Sequence, residues 1–264
     1  MNWQEISGNW VYIPRQPRAI VHFLGGAFVA AAPHITYRLL LEDLAKQGYV
    51  IIATPFINTF DHRSIASEVF NSFEDTVELL QRRGYLASGY ENRYLPIYGV
   101  GHSMGCKLHL LIGSMYEVKR AGNILISFNN FLARDAVPLM GQMPQEFNVE
   151  FTPNPQETLD LIAEYYDVRR NLIVKFNNDT IDQSYTLGQT LGKIFPGMVS
   201  TQIINGSHLT PLGQDLQWQL NSQIFTPFDA IGQWIKQEIH RDLHQLKREM
   251  LRWLDPLVGQ KMLP

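Results

Sequence analysis

The stretch LPIYGVGHSMGCKLHLL, residues 95–111, decides what fold the sequence encodes. It contains the pattern Gly-x-Ser-x-Gly, centred on Ser103, which a chain of this length matches by chance about one time in ten. A Gly-rich turn that merely carries a serine is therefore the alternative. The flanking residues favour a nucleophile, because an apolar run predicts a buried strand before Ser103 and helical spacing follows it.

Two glycines and a helix support the same interpretation. Gly101 and Gly105 stand two residues before and after Ser103, where a side chain would collide with the neighbouring strand or helix. The helix predicted over residues 106–116 directs its positive N-terminus at the serine, where it stabilises a developing oxyanion.

A nucleophilic serine needs a base, and three histidines follow this helix in the chain. His240 and His244 lie four apart in an amphipathic terminal helix predicted over residues 228–254. Their spacing suits a metal, but a solvated helix face is preferred, and we predict neither metal nor cofactor. His208, in the loop INGSHLTPLG after the last predicted strand, is the predicted base.

The acid is expected at the end of the preceding strand, NLIVKF. The segment NNDTIDQ that follows offers Asp179, which lies closer to the strand end and is ranked first. Asp182 is the competitor. The aspartate that is not used would cap a helix beginning near Ser184 or be solvated.

Oxyanion stabilisation takes two backbone N–H groups. Met104, directly after the serine, supplies the first. The second is expected from Ala27 or Phe28, because Gly25 and Gly26 let this loop approach a substrate closely. A phosphate-binding role for the loop is weaker, since no G-x-G-x-x-G pattern or P-loop lysine is present.

Further residues, two glycines and several with polar side chains, lie at the ends of predicted strands, at the edge where ligands of open α/β sheets bind. They are candidates for a substrate pocket, with ordinary turn formation as the alternative. The candidates are Gly25, Gly26, Asn58, Asp61, His62, His102, Asn129 and Asn130. Lys107 and His109, within the helix after the serine, are expected to be structural or exposed.

Strands alternating with helices of ten or more residues predict an α/β fold with a mostly parallel sheet and helices on both faces. A single domain over 1–264 is expected. The alternation of strands and helices is interrupted at residues 131–168. This long connection predicts a small lid insertion, and a surface loop without a role in the chemistry is the alternative. The apolar and aromatic part, 131–151, indicates an acyl or lipid-like substrate.

The composition limits which classes of binding partner and which cellular compartment are expected. The chain has 264 residues, of which 45% are hydrophobic, and a net charge of −3, which argues against nucleic acid. The single cysteine, Cys106, excludes an internal disulfide and a cysteine-based zinc site. No signal peptide or transmembrane segment is evident, so we expect a cytoplasmic location, or the stroma if the source has plastids.

With these residues in place, the chain resembles an α/β-hydrolase over nearly its whole length, through GHSMG, HFLGGAF and the strand–Asp and loop–His pairs. More narrowly, HFLGGAFVAAAPHITYRLLLEDLA, ATPFINTFDH, FNNDTIDQS and NGSHLTPLG resemble an uncharacterised hydrolase-like family of cyanobacteria and chloroplasts. Two departures are visible: Cys106 replaces a small glycine that often follows the turn, and LGG replaces the usual HG before the oxyanion loop.

The sequence thus predicts a serine hydrolase that cleaves an ester or thioester through an acyl-enzyme, with Ser103, His208 and Asp179 as its triad. Two alternatives remain open: a ligand-binding protein on a hydrolase scaffold with little turnover, and an acyltransferase that uses the same residues. The expected partner is a small acyl or lipid-like molecule. The oligomeric state is not predicted.

Overall fold

The computed structural model describes residues 2–86, 95–136, 149–213 and 236–255, with the side chains of 236–240 excepted. Within them, eight strands form one sheet in the order β1-β2-β4-β3-β5-β6-β7-β8. The strands are β1 Gln4–Ile6, β2 Asn9–Tyr12, β3 Ala19–Leu24, β4 Tyr49–Ala53, β5 Ile97–His102, β6 Gly122–Ile126, β7 Asn171–Phe176 and β8 Val199–Ile204.

The sheet is parallel from β4 through β8, and only the edge formed by β1 and β2 runs antiparallel. Helices fill the connections between the parallel strands, and a further helix follows β8. They are α1 Pro33–Thr36, α2 Arg38–Lys46, α3 His62–Arg82, α4 Met104–Met115, α5 Ala133–Ala136, α6 Pro155–Tyr165, α7 Ser184–Ile194 and α8 Lys236–Leu254. Strand β1 is not predicted by the sequence pattern.

The two faces of the sheet bury different residues of the same strands, because successive side chains of a strand point to opposite sides. Val21 and Phe23 of β3 pack in one cluster with Leu40 of α2. Ile20, between Ala19 and Val21 in the chain, packs in another cluster with Phe73 of α3. Helices therefore cover both faces, and the predicted mostly parallel α/β architecture is confirmed.

The segment predicted as a lid, 131–168, divides into parts. Helix α6 begins at an Asn154 capping box and buries Ile162 in the same cluster as Leu110 of α4. This part belongs to the helical layer on one face of the sheet. Residues 137–148 lie outside the described residues, so a lid stays a prediction.

Among the described ranges, no helix combines the length and the hydropathy needed to cross a membrane. The predicted terminal helix is present as α8 from residue 236 onward, while 228–235 fall outside the described part of the chain. Its Leu246 and Met250 pack in the cluster that covers the α2 face of the sheet. The loops that carry the candidate site follow β3, β5, β6, β7 and β8, at the carboxyl edge of the parallel strands.

Candidate active site

Ser103 occupies a strained turn between β5 and α4. Its φ of 55° and ψ of −119° are disfavoured for a side chain with a Cβ and cost about 1–3 kcal/mol. The flanking glycines make the turn possible. A Cβ on Gly101 would come within 2.6 Å of the Gly105 carbonyl, and one on Gly105 would overlap the Leu24 carbonyl. The backbone of α4 thus approaches the end of β3 directly.

The Ser103 hydroxyl is held by a residue of the loop after β6. Asn129 Nδ2 donates a hydrogen bond of 2.9 Å to Ser103 Oγ. A hydroxyl has two acceptor lone pairs and one proton, so this bond leaves the Ser103 proton free to be donated. Within the described parts of the chain, Ser103 and His208 form no hydrogen bond, but both line the same cavity. Catalytic hydrogen bonds of unliganded sites often shorten only when substrate binds.

His208 and Asp179 form a close pair, with 2.8 Å between His208 Nδ1 and Asp179 Oδ2. Burial alone would raise the pKa of the Asp179 carboxyl, but the hydrogen bond and charge of His208, with the Ile181 N–H, outweigh it and lower this pKa. The carboxylate therefore accepts, and His208 Nδ1 carries the proton. His208 Nε2 is left as the basic nitrogen.

The competing aspartate has a different environment. Asp182 accepts from Lys175 Nζ at 2.9 Å and from the backbone and hydroxyl of Ser184 at 3.0 and 2.7 Å. It does not line the cavity around Ser103. The structure brings Asp179, rather than Asp182, to His208.

The candidate oxyanion donors lie beside the serine. A Cβ on Gly26 would stand 3.4 Å from Ser103 Cβ, so the Gly26 loop and the serine are in near contact. The Gly26 N–H already donates to the Tyr37 hydroxyl at 2.8 Å. The N–H groups of Ala27, Phe28 and Met104 find no acceptor in the described ranges, which leaves all three predicted donors available.

A buried chain of hydrogen bonds ties this loop to the base. Burial lowers the pKa of His102 to about 3, so its ring is neutral. Its Nε2–H donates to the His208 carbonyl at 2.9 Å, since a carbonyl only accepts. Its Nδ1 then accepts from the Tyr37 hydroxyl at 2.8 Å. His102 therefore lines the cavity and also links Tyr37 to the His208 main chain. The sequence pattern did not single out Tyr37.

Most of the other predicted pocket residues line the cavity, and two lie outside it. The cavity measures about 710 Å³ and has a mostly apolar lining. Six predicted residues line it: Gly26, Asn58, His62, His102, Asn129 and Asn130. Two do not. Asp61 is exposed and caps α3 by accepting from the Ser64 N–H, and Gly25 packs against the Tyr37 ring.

Lys107 and His109 were expected to be structural or exposed, and both are buried. His109 is structural, because it lies outside the cavity and its Nδ1 accepts a hydrogen bond of 3.3 Å from Arg120. Lys107 lines the cavity. The sequence held a signal for this, since Lys107 follows Ser103 by four residues and such residues share one helix face.

The strand order, the strained serine turn and the carboxyl-edge loops define a protein of α/β-hydrolase fold. Three solved structures share it. A monoglyceride lipase of Saccharomyces cerevisiae is 13% identical with a TM-score of 0.60, covering 97% of this chain and 94% of that one. Carboxyl esterase 2 of Tuber melanosporum is 18% identical with a TM-score of 0.55, covering 83% of this chain and 81% of that one. Fluorophosphonate-binding serine hydrolase F of Staphylococcus aureus is 14% identical with a TM-score of 0.55, covering 78% of this chain and 90% of that one.

The model of a family described as protein of unknown function (DUF1350) matches residues 2–256, and the chain belongs to this family. No curated protein matches the sequence significantly. The comparisons thus define the fold and the family.

Proposed function

We propose that the protein is a serine hydrolase that cleaves an ester or thioester. The observation that carries this proposal is the His208–Asp179 hydrogen bond of 2.8 Å at the same cavity as Ser103, which the backbone holds in a strained turn. A base oriented by a carboxylate, beside a serine on a strand-to-helix turn, is the arrangement that acyl transfer needs.

In the acylation step, Ser103 Oγ attacks the substrate carbonyl carbon while its proton passes to His208 Nε2. Asp179 holds the imidazole with Nδ1–H toward itself and stabilises the imidazolium. The oxygen that becomes negative accepts from the Met104 N–H and from Ala27 or Phe28. Collapse of the intermediate breaks the bond to the alcohol or thiol, which leaves with the proton from His208.

In the deacylation step, water donates a proton to His208 Nε2 and attacks the acyl carbon. The bond to Ser103 Oγ then breaks, and His208 returns the proton to the serine. Asn129 keeps Ser103 Oγ in place by donating to its lone pair at 2.9 Å. The mostly apolar cavity of about 710 Å³ suits a small acyl group, in keeping with the ester-cleaving names of the structural neighbours.

The test is covalent labelling with a fluorophosphonate probe, read by intact-protein mass spectrometry. We expect the wild type to gain one adduct and Ser103→Ala to gain none. Ser114→Ala is the matched control, because Ser114 lies on the same helix and, among the described residues, its hydroxyl bonds only to the Leu110 carbonyl. It should label like the wild type. A folded wild-type protein that does not label would contradict the proposal.

A panel of p-nitrophenyl esters of increasing chain length then measures turnover. Hydrolysis that is lost in Ser103→Ala supports the hydrolase. Thermal stabilisation by the esters without release of p-nitrophenol would instead favour the ligand-binding alternative.

A further inference from the structure

Four polar residues in the lining of the cavity around Ser103 are here called the polar end: Lys107, His62, Asn58 and Asn130. Lys107 is 2% exposed and His62 is 4% exposed. Both ring nitrogens of His62 and the Oδ1 atoms of the two asparagines are buried without a hydrogen-bond partner among the described residues. Buried polar groups are normally satisfied, so a cluster of unsatisfied ones at a cavity indicates a ligand that satisfies them.

The segment 151–155 holds this polar end in place. Lys107 Nζ donates to the Pro153 carbonyl at 3.0 Å. It also lies 5.8 Å from the centre of the Phe151 ring. The His62 ring stacks on the same Phe151 ring, with 4.3 Å between the centroids. Lys107 and His62 are therefore brought together by one aromatic residue of the cavity lining.

Lys107 has no acidic partner within the described parts of the chain. Two carboxylates exert a charge on it, but both are bound to backbone N–H groups: Glu150 accepts two at 2.7 Å and Glu157 accepts one at 3.0 Å. Burial lowers the pKa of Lys107 to about 7, against the opposing effect of these acids. A buried ammonium without a counter-ion is costly, and an anion bound beside it removes that cost.

We propose that the polar end binds a carboxylate carried by the substrate, so that the preferred ester has an anionic group remote from the bond that is cleaved. Lys107 supplies the positive charge, and the N–H of the His62 ring adds a hydrogen bond. Burial and the charge of Lys107 lower the pKa of His62 to about 3, so the ring is neutral and offers one donor. This inference rests on the proposed hydrolase function, and it names the class of substrate.

The helix suggests a probe length for the substrate. Lys107 lies four positions after Ser103, which is a rise of about 6 Å along the axis of α4. With C–C bonds of about 1.5 Å, a chain of roughly six carbons between the ester and the carboxylate spans this rise and sets the length of the test esters. The carboxylate can belong to the acyl group or to the alcohol.

The experiment compares matched esters. For the acyl side, p-nitrophenyl hydrogen suberate is compared with p-nitrophenyl octanoate. For the alcohol side, the butyryl ester of 8-hydroxyoctanoate is compared with octyl butyrate. We expect kcat/KM to favour the carboxylate-bearing ester at least tenfold on one side, which also identifies that side. Equal or better hydrolysis of both neutral esters would overturn the proposal.

Two variants connect the preference to the lysine. Lys107→Met removes the charge and the bond to the Pro153 carbonyl, while Lys107→Gln removes the charge but keeps a donor on a shorter side chain. In both, the ratio of kcat/KM for the anionic and the neutral ester should fall at least tenfold. Lys193→Met, at an exposed lysine outside the cavity, should keep the wild-type ratio. A preference that survives in both folded Lys107 variants would contradict the inference.

Binding without turnover separates this inference from the hydrolase proposal. In Ser103→Ala, calorimetry with suberic acid monoamide and with octanamide measures the polar end without any acyl transfer. Tighter binding of the monoamide that carries a carboxylate, lost in the Ser103→Ala, Lys107→Met double variant, supports the anion site even if no adduct forms at Ser103. Equal affinity for the two amides would reject it even if the serine is labelled.

Discussion

The Nε2–H of His102 donates a hydrogen bond of 2.9 Å to the main-chain carbonyl of His208. His102 is the residue directly before the candidate nucleophile, and His208 carries the candidate base. The same His102 ring accepts from Tyr37, whose hydroxyl accepts from the Gly26 N–H of the candidate oxyanion loop. Three loops of the site are thereby joined through one buried imidazole.

Tyr37→Phe should disturb this connection at its centre. The change leaves the Gly26 N–H and His102 Nδ1 without their partner, which costs about 1–3 kcal/mol of unfolding free energy. A loosened loop should lower kcat by roughly ten- to a hundredfold. Denaturant unfolding and ester hydrolysis measure the two effects.

The control for that change is Tyr49→Phe. Tyr49 is also buried, and its hydroxyl accepts from Arg18 at 2.6 Å, away from the cavity. It should lose stability without a change in kcat. If Tyr37→Phe behaves in the same way, the chain of hydrogen bonds is structural only.

Asp179→Asn and Asp182→Asn should separate the two candidate acids. Asp179→Asn removes the acceptor that fixes the His208 tautomer, and we expect kcat to fall about 10⁴-fold. Asp182→Asn weakens the contacts to Lys175 and Ser184 and should lower stability with little effect on kcat. The reverse order of the two kcat values would assign the acid to Asp182.

Asn129→Ala removes the donor that holds Ser103 Oγ at 2.9 Å. One neutral hydrogen bond contributes about 0.5–1.5 kcal/mol, so we expect kcat/KM to fall by up to roughly tenfold. Fluorophosphonate labelling should slow by a similar factor. An unchanged labelling rate would show that the serine is positioned by its backbone alone.

Stability should fall when the pH drops below about 6.5. Burial lowers the pKa of His22, His62, His102 and His109 in the folded protein. Between the unfolded pKa of about 6.5 and the lower folded values, the unfolded chain therefore binds more protons. Within that window, each such histidine lowers the free energy of unfolding by about 1.4 kcal/mol for every unit by which the pH falls. Above the window it has no such effect.

Denaturant unfolding between pH 4.5 and 7.5 measures this slope. His62→Leu should unfold with a shallower dependence on pH, because it removes one titrating group that has no hydrogen-bond partner in the described chain. A slope identical to that of the wild type would mean that His62 is protonated as easily in the folded protein as in the unfolded one.

The fold followed from the sequence because apolar runs such as YVIIA and NLIVKF are buried on both faces of a parallel sheet. Strand β1 escaped prediction since it has three residues, of which only Ile6 is buried, and so carries no periodicity. The chain order of serine, acid and histidine likewise pointed to residues that the fold brings to one edge of the sheet.

The supporting residues were harder to predict. Tyr37 reaches His102 across 65 positions of sequence, and nothing in its local pattern distinguishes it from a core tyrosine. Asp61 resembled a pocket residue because it follows a strand, but it also begins a helix, and the capping role prevails. Contacts between distant segments decide both cases, and one sequence does not display them.

The close approach of Gly105 to the Leu24 carbonyl means that main-chain contact, in addition to the Tyr37 and His102 side chains, sets the distance between the serine turn and the candidate oxyanion loop. Under the proposed function, the reactive geometry and the choice of substrate are therefore expected to be separable traits. Substitutions of cavity-wall residues such as Lys107 and Phe151 should alter which ester is preferred while leaving the serine turn in place.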